Sequence, residues 1–319
     1  MQTHQEFFGC RYPIVAVAMN QVSDINLAIA VAQAGGFPSV SLFNYFVAKG
    51  VMGWDLARSE FQRFQDAVGN CNFILSLDTT FIQSNAPKVI DLIREFKISH
   101  LEIIAVEEHR RDPVVLAKIN HWMTYLQSQD VKLILKVVSL FDDIENWCFW
   151  DSGLSHVDAF SIKGPKSAGR VMDTDLSLEQ MIVWAQEHYP NIPIIAVGGV
   201  GNAQDVKQLL DLGVTAIGAG TLFAASQESP VSEVTKLKMI GAGNADLTKL
   251  NTDNLKQNAL RLGKFDRPDS ENENNTMSLR AGIKTGNQGH VFAGHGINSI
   301  TEILPVNIII ERLFGQTNN

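Results

Sequence analysis

Between Ser161 and Thr221 the chain gathers residue types that handle anions. The segment Ser161-Ile-Lys-Gly-Pro-Lys-Ser-Ala-Gly-Arg170 puts three cations on one glycine-containing loop, in a chain whose formal net charge is −8. Further on, Gly198-Gly199 and then Gly218-Ala219-Gly220-Thr221 each close a short apolar run. Glycine lets the backbone turn with φ > 0 and brings bare N–H groups up to an anion. A helix that begins there adds unsatisfied N–H groups and its positive pole, which suit a phosphate dianion. One such turn is ordinary. Two of them, one βα unit apart, match the paired phosphate loops after strands seven and eight of a (β/α)8 barrel. The three cations also have a plainer reading, a solvated lysine-rich loop.

The elements that must position these groups follow from periodicity. Apolar runs near Ile14–Met19, Pro38–Leu42, Phe73–Leu77, Leu101–Val106, Leu133–Val138, Ala159–Ile162, Ile194–Val197 and Ala216–Ile217 read as eight strands. Helical patterns at Asp24–Ala34, Ala86–Phe96, Pro113–Ser128 and Leu178–His188 lie between them, with a short helix expected at Thr221–Ser226. This alternation predicts an α/β fold, a (β/α)8 TIM barrel. Asn202 is placed to cap a helix with Val206, Leu209 and Leu210 on its apolar face, and Gly213 to end it. After Glu228 the period changes. Ser232–Asn244 and Leu247–Leu262 read as helices, Asp266–Asn275 as an exposed polar loop, and Ile300–Leu313 as a closing helix. The expected organisation is a barrel over 1–231 and 290–319, with a mostly helical insertion or lid over 232–289.

Bulk properties bound the function. The chain has 319 residues, 45% of them hydrophobic and 19% charged, and a mean hydropathy of +0.01, the profile of a globular protein with a well-filled core. Its negative charge argues against nucleic acid or an anionic membrane as partner. No apolar run has transmembrane length and the N-terminus lacks the regions of a signal peptide, so a cytoplasmic location is expected. Cys10, Cys71 and Cys148 are odd in number and far apart, which favours reduced thiols over disulfides or zinc ligands.

Barrel enzymes carry their chemistry at the C-terminal ends of the strands. Those positions are Ala18, Met19 and Asn20 after the first strand, Ser76 and Asp78 at the third, Lys136 at the fifth and Lys163 to Arg170 after the sixth. His100, His109, His121 and His188 fall away from that mouth and read as core or surface residues, whereas His290 and His295 flank a loop that reaches it. Asp142, Asp143 and Glu145 suit the acidic start of a helix, and Trp147 and Trp150 suit packing.

Pro13–Ser23, Ala34-Gly-Gly36, the Lys163–Arg170 loop, Gly198-Gly199, Gly218–Thr221, Glu228-Ser229 and Val291-Phe-Ala-Gly-His-Gly296 occur in the order found in nitronate monooxygenases, and the chain resembles that family over nearly its whole length. The flavin-dependent enoyl-acyl-carrier-protein reductases share the layout. The resemblance implies FMN as cofactor, its phosphate on the backbone of Gly198, Gly199, Gly218, Ala219 and Gly220 with help from the Thr221 hydroxyl. It implies a ring near Ala18, Met19, Asn20, Ser76 and Lys163. A cation beside the N1/C2=O edge stabilises the reduced ring, a reason for Lys163 or Lys136 to be there.

Departures from the pattern fall on the chemistry. The family's first loop usually reads Ala-Pro-Met-Ala-Gly, and here it is Val17-Ala-Met-Asn-Gln21. The sixth usually reads Gln-Gly-x-Glu-Ala-Gly-Gly-His, and here it is Lys163-Gly-Pro-Lys-Ser-Ala-Gly-Arg170. The histidine assigned as base is thus Arg170, which stays protonated and cannot abstract a proton. The catalytic set expected from these residues is Lys163, Lys166 and Arg170, acting on a small anionic substrate such as a nitronate, although Asp173 or Asp175 could simply hold Arg170. The resemblance leaves three functions open: an oxygen-using nitronate oxidoreductase, an NAD(P)H-dependent enoyl-thioester reductase, and a flavin-binding protein with altered catalysis. A homodimer is compatible with each.

Overall fold

Each of the eight expected strand positions forms a parallel strand, and together they close into a barrel. In the computed structural model, which describes residues 2–70, 72–104, 113–138, 144, 155–171, 174–252, 255–263 and 271–315, the strands are β1 (Ile14–Ala16), β2 (Phe37–Ser41), β3 (Ile74–Asp78), β4 (His100–Ile104), β5 (Lys132–Val137), β6 (Ala159–Lys163), β8 (Ile194–Val197) and β9 (Ala216–Ala219). They pair in chain order, and β9 closes on β1 with Val15 opposite Gly218. A further strand, β7 (Gly169–Val171), leaves the barrel. The fold is therefore the (β/α)8 barrel that the alternation predicts.

Alternation along each strand divides the apolar residues between two cores. Leu75, Leu101, Ile103, Leu133, Leu135 and Ile217 belong to the larger core, which the surrounding helices cover. Ile74, Ile134, Ala159, Ile195 and Ala216 belong to a smaller one inside the barrel. The short helix His4–Phe8 plugs the interior at the N-terminal ends of the strands. It is fixed by a Thr3/Glu6 capping box, and Phe7 and Phe8 pack on Phe37 and His100 with ring centroids 4.7 to 5.4 Å apart.

The helix after β8 is capped as its sequence suggests, and Asp78, read as a strand-end group, proves to be a second cap. Asn202 Oδ1 accepts from the Gln204 and Asp205 N–H groups, while Asp205 answers with a bond from the Asn202 N–H. This capping box starts Ala203–Asp211 directly after one glycine turn, and Val206 and Leu209 bury its apolar face. Asp78, at the end of β3, accepts from the Phe81 N–H at 2.8 Å and caps Thr79–Phe96. That helix begins seven residues before the expected start at Ala86, and carries Pro87 inside it.

The insertion corrects the sequence reading. Glu233–Ile240 is helical, but Leu247–Thr252 (β10) and Leu255–Gly263 (β11) form an antiparallel hairpin where one helix over Leu247–Leu262 is expected. The leucines at 247, 250, 255 and 262 have spacings that a helix also satisfies, and the strands are decided by long-range pairing. One edge of β11 pairs with β10; the other pairs with β12 (Gly289–Phe292) and, end to end with it, with β7. The insertion thus combines the helices Glu233–Ile240 and Glu271–Thr285 with the β10–β11 hairpin, whose sheet β12 and β7 complete. Glu271–Asn275 begins that helix instead of lying in a loop, and 266–270 fall outside the described residues. The closing helix is shorter than expected, Val306–Leu313, because Pro305 takes the N-cap position. His109, Asp142, Asp143, Glu145, Trp147, Trp150, Asp173, Cys71 and Cys148 also lie outside the described residues.

Candidate active site

The mouth of the barrel is built from the ends of β1, β6, β8 and β9. Gly198 and Gly199, directly after β8, have φ of 117° and 83°, a region that side chains disfavour. Their other faces are occupied: a Cβ on Gly198 would lie 2.5 Å from Ser167 Cβ, and one on Gly199 3.3 Å from Lys166 Cβ. At the end of β9, a Cβ on Gly218 would meet Val197 at 2.6 Å and Val17 at 2.8 Å. Gly220 lies against Val17 and Met19, with Met19 Sδ 3.4 Å from its Cβ position. Thr221 opens a one-turn helix, Thr221–Ala224, and its hydroxyl accepts from the Gly294 N–H at 3.0 Å. That bond leaves the hydroxyl proton to donate.

The loop after β1 is held open by side chains rather than by strand pairing. Ser23 Oγ accepts from the Met19 N–H at 2.8 Å and donates to Val17 O, and Asn44 bonds both Met19 O and the Gln21 N–H. Gln21 takes a left-handed φ of 60°. The turn buries Asn20 Oδ1 without a partner among the described residues. An orphaned acceptor of this kind is costly unless a ligand donor reaches it.

One step below the mouth, inward positions of four consecutive strands carry polar groups in place of an apolar core. Ser76 Oγ donates to Glu102 Oε2 at 2.8 Å, and Lys136 Nζ donates to the same oxygen at 3.1 Å. Ser161 also hydrogen-bonds to this carboxylate. The Glu102 and Lys136 side chains are only 5% and 10% exposed. Burial pushes the Glu102 carboxyl up, but the Lys136 charge and the three hydrogen bonds outweigh it and hold the group below the usual carboxylate value. Ser76 and Lys136 were expected at the site. Glu102 was not, although a carboxylate in the middle of His100-Leu-Glu-Ile-Ile104 is itself a signal, since it cannot be buried alone.

The cation loop is clamped from outside the barrel. The Gly164 N–H donates to Val197 O, and the Ser167 hydroxyl returns to Gly164 O at 2.6 Å. Asn258, buried on β11, donates to Pro165 O at 3.0 Å and Ser167 O at 2.9 Å, while its backbone pairs with Gly169. The His295 N–H donates to Lys166 O at 2.9 Å. Asn258 escapes sequence reasoning because its strand reads as helix. The loop folds back so that Lys163 Nζ lies 3.8 Å from the Cβ position of Gly169. Lys166 is exposed; its charge helps hold the Glu179 carboxyl low, after the Ser177 hydrogen bond and a backbone bond, and helps push the His295 imidazole down, after burial. The backbone of Arg170 pairs with Gln257 in the insertion sheet, and its side chain lies outside the described residues. Lys163 and Lys136 therefore stand on the barrel wall, while Lys166 turns toward solvent.

Two expected spectators, His100 and Cys10, are structural, and so is His290, which the sequence places beside the loop that reaches the mouth. His100 Nε2 bonds Phe7 O at 2.9 Å, and burial lowers its pKa to about 4. Cys10 is a free thiol, raised to about 11 by burial. His290 sits under the helix Glu271–Thr285 with Nδ1 on Ser278 Oγ, and burial followed by the Arg261 charge lowers it to about 4. Among the described residues no group of acids, histidines or cysteines could hold a metal, and no helix is long and apolar enough to cross a membrane.

Comparison with known proteins gives this site its context. The family model for nitronate monooxygenase matches residues 124–316. A probable nitronate monooxygenase of Bacillus subtilis (strain 168) is 30% identical over 139 residues, which is 39% of this chain and 39% of that protein. The structure of FabK from Thermotoga maritima aligns over 99% of this chain and 96% of its own, with 22% identity and a TM-score of 0.77. Nitroalkane oxidase from Streptomyces ansochromogenes aligns over 98% of this chain and 97% of its own, with 16% identity and a TM-score of 0.71.

Proposed function

Because the chain belongs to the nitronate monooxygenase family of oxidoreductases, we propose that it is an FMN-dependent enzyme that oxidises a small anionic, nitronate-like substrate with dioxygen. The observation that carries the reading is the pair of glycine turns, Gly198-Gly199 and Gly218–Thr221, which meet at one side of the mouth. Backbone N–H groups of Gly198, Gly199, Gly218, Ala219 and Gly220, with the Thr221 hydroxyl, would hold the phosphate. Ala18, Met19, Asn20, Ser76, Lys136 and Lys163 would border the ring, and the orphaned Asn20 oxygen suits a ring N–H donor. FMN, when bound, supplies the electron acceptor that dioxygen reoxidises.

The remaining chemistry belongs to the chain. From the exposed rim of the mouth Lys166 would draw in the substrate anion, and Arg170 would hold it by charge-assisted hydrogen bonds. Arg170 keeps its proton, so the substrate must arrive already deprotonated. The Asn258 clamp and the pairing of β7 with β11 fix the loop that carries these cations.

Anaerobic mixing of the FMN-loaded protein with propionate 3-nitronate tests the reading. The expected result is bleaching of the flavin absorption, with colour returning on admission of air. An unchanged spectrum would remove nitronate oxidation, and rapid bleaching by NADPH or NADH alone would favour an enoyl-thioester reductase instead.

A further inference from the structure

Glu102 is buried, its side chain 5% exposed, and three side chains satisfy its carboxylate. It lies on β4 between Ser76 on β3 and Lys136 on β5, and takes hydrogen bonds from both and from Ser161 on β6. Lys136 is unlike it. The ammonium has three N–H donors, and Glu102 is its one acceptor among the described residues. A buried lysine with donors to spare and a carboxylate behind it is a charge aimed at something else.

We propose that Glu102 is a positioning residue for the cofactor: through its bond to Lys136 it fixes that side chain, protonated, in the wall below the mouth, where it raises the affinity of the site for the reduced, anionic form of FMN. The inference rests on the FMN reading given above. The physical basis is that a lysine buried without a counter-charge readily loses its proton, whereas one paired to a carboxylate keeps it. Among the described residues, the other ionisable groups near this layer do not supply the counter-charge. His100 lies two residues below Glu102 and is neutral near pH 7. Asp78 is committed to its helix cap. Lys163, two residues above Ser161, carries a like charge.

The test is the midpoint potential of bound FMN across roughly pH 6 to 9.5, a range that brackets the proton loss of a perturbed lysine. Wild type, Glu102→Gln and the double variant Glu102→Gln/Lys136→Met are compared, each loaded with FMN. In Glu102→Gln the curve should cross that of wild type: above it at low pH, where Lys136 is charged and uncompensated, and below it at high pH, where Lys136 is neutral. The double variant, which removes both charges of the buried pair and is therefore expected to fold, should lie below wild type throughout with no crossing. A purely structural Glu102 would give parallel curves for all three proteins, which would overturn the inference while leaving FMN binding intact. Wild-type protein that takes up no FMN would overturn the functional reading and this inference with it, and that result is seen before any variant is measured.

Discussion

Two ionisable residues on one strand, His100 and Glu102, face the same barrel interior two positions apart and end in opposite states. Around His100 the neighbours are Phe7, Phe8 and Phe37; around Glu102 they are Ser76, Lys136 and Ser161. Burial wins at His100 and makes it a neutral core residue. At Glu102 a counter-charge and hydrogen bonds win, and the carboxylate stays ionised. The lower half of the barrel is thus a closed plug and the upper half a polar layer. Depth alone does not separate core from site; the partners do.

The largest effect that would break this comparison is removal of Lys136. Lys136→Met leaves a buried carboxylate without its counter-charge and should cost about 3–5 kcal/mol in denaturant unfolding. Glu102→Leu/Lys136→Met should recover most of that loss, since an apolar pair carries no desolvation penalty. A double variant as unstable as the single one would mean that the layer is held by something other than this pair.

The lower half answers to pH instead. His100 titrates at about 4 when folded against 6.5 ordinarily, so the unfolded chain binds the extra proton between those values. Stability is therefore full above pH 6.5 and falls as the pH drops toward 4, by ~3 kcal/mol for this residue. His290, with a similar shift, adds to the same acid loss. Urea midpoints at pH 7 and pH 5 should show a smaller fall in His100→Asn than in wild type, and equal falls would mean that His100 does not titrate as its burial requires.

Smaller effects belong to the rim, where the insertion meets the barrel. Asn258→Ala strips one buried and one half-buried carbonyl of their donor and should cost about 1–3 kcal/mol, with amide hydrogen exchange rising in 163–171 before it rises in the barrel strands. Thr221→Val removes the acceptor of the Gly294 N–H and should cost about 1 kcal/mol. Both should weaken FMN binding more than they lower the unfolding midpoint, because they loosen the mouth and leave the plug intact.

Legibility in the sequence divides along the same line. Strand periodicity exposes the barrel, and the glycines at 198, 199, 218 and 220 expose the turns, because both are local patterns. Ser76 and Lys136 are legible as strand-end polar residues, but their link through Glu102 requires the register of β3, β4 and β5, which no local window contains. Leu247–Gly263 is misread for the same reason: leucine spacing fits a helix, and only the pairing of β11 with β7, β10 and β12 makes it a strand. Asn258, the clamp on the cation loop, is hidden by that misreading.

The central claim, that the polar upper half of the barrel is an FMN site, is tested most directly by equilibrium titration of the purified protein with FMN, followed by the flavin absorption and fluorescence of the bound fraction. Saturable uptake of one FMN per chain is expected, with Gly199→Val abolishing it while the protein stays folded. A folded protein that takes up no FMN, or one whose uptake is indifferent to Gly199→Val, would contradict it.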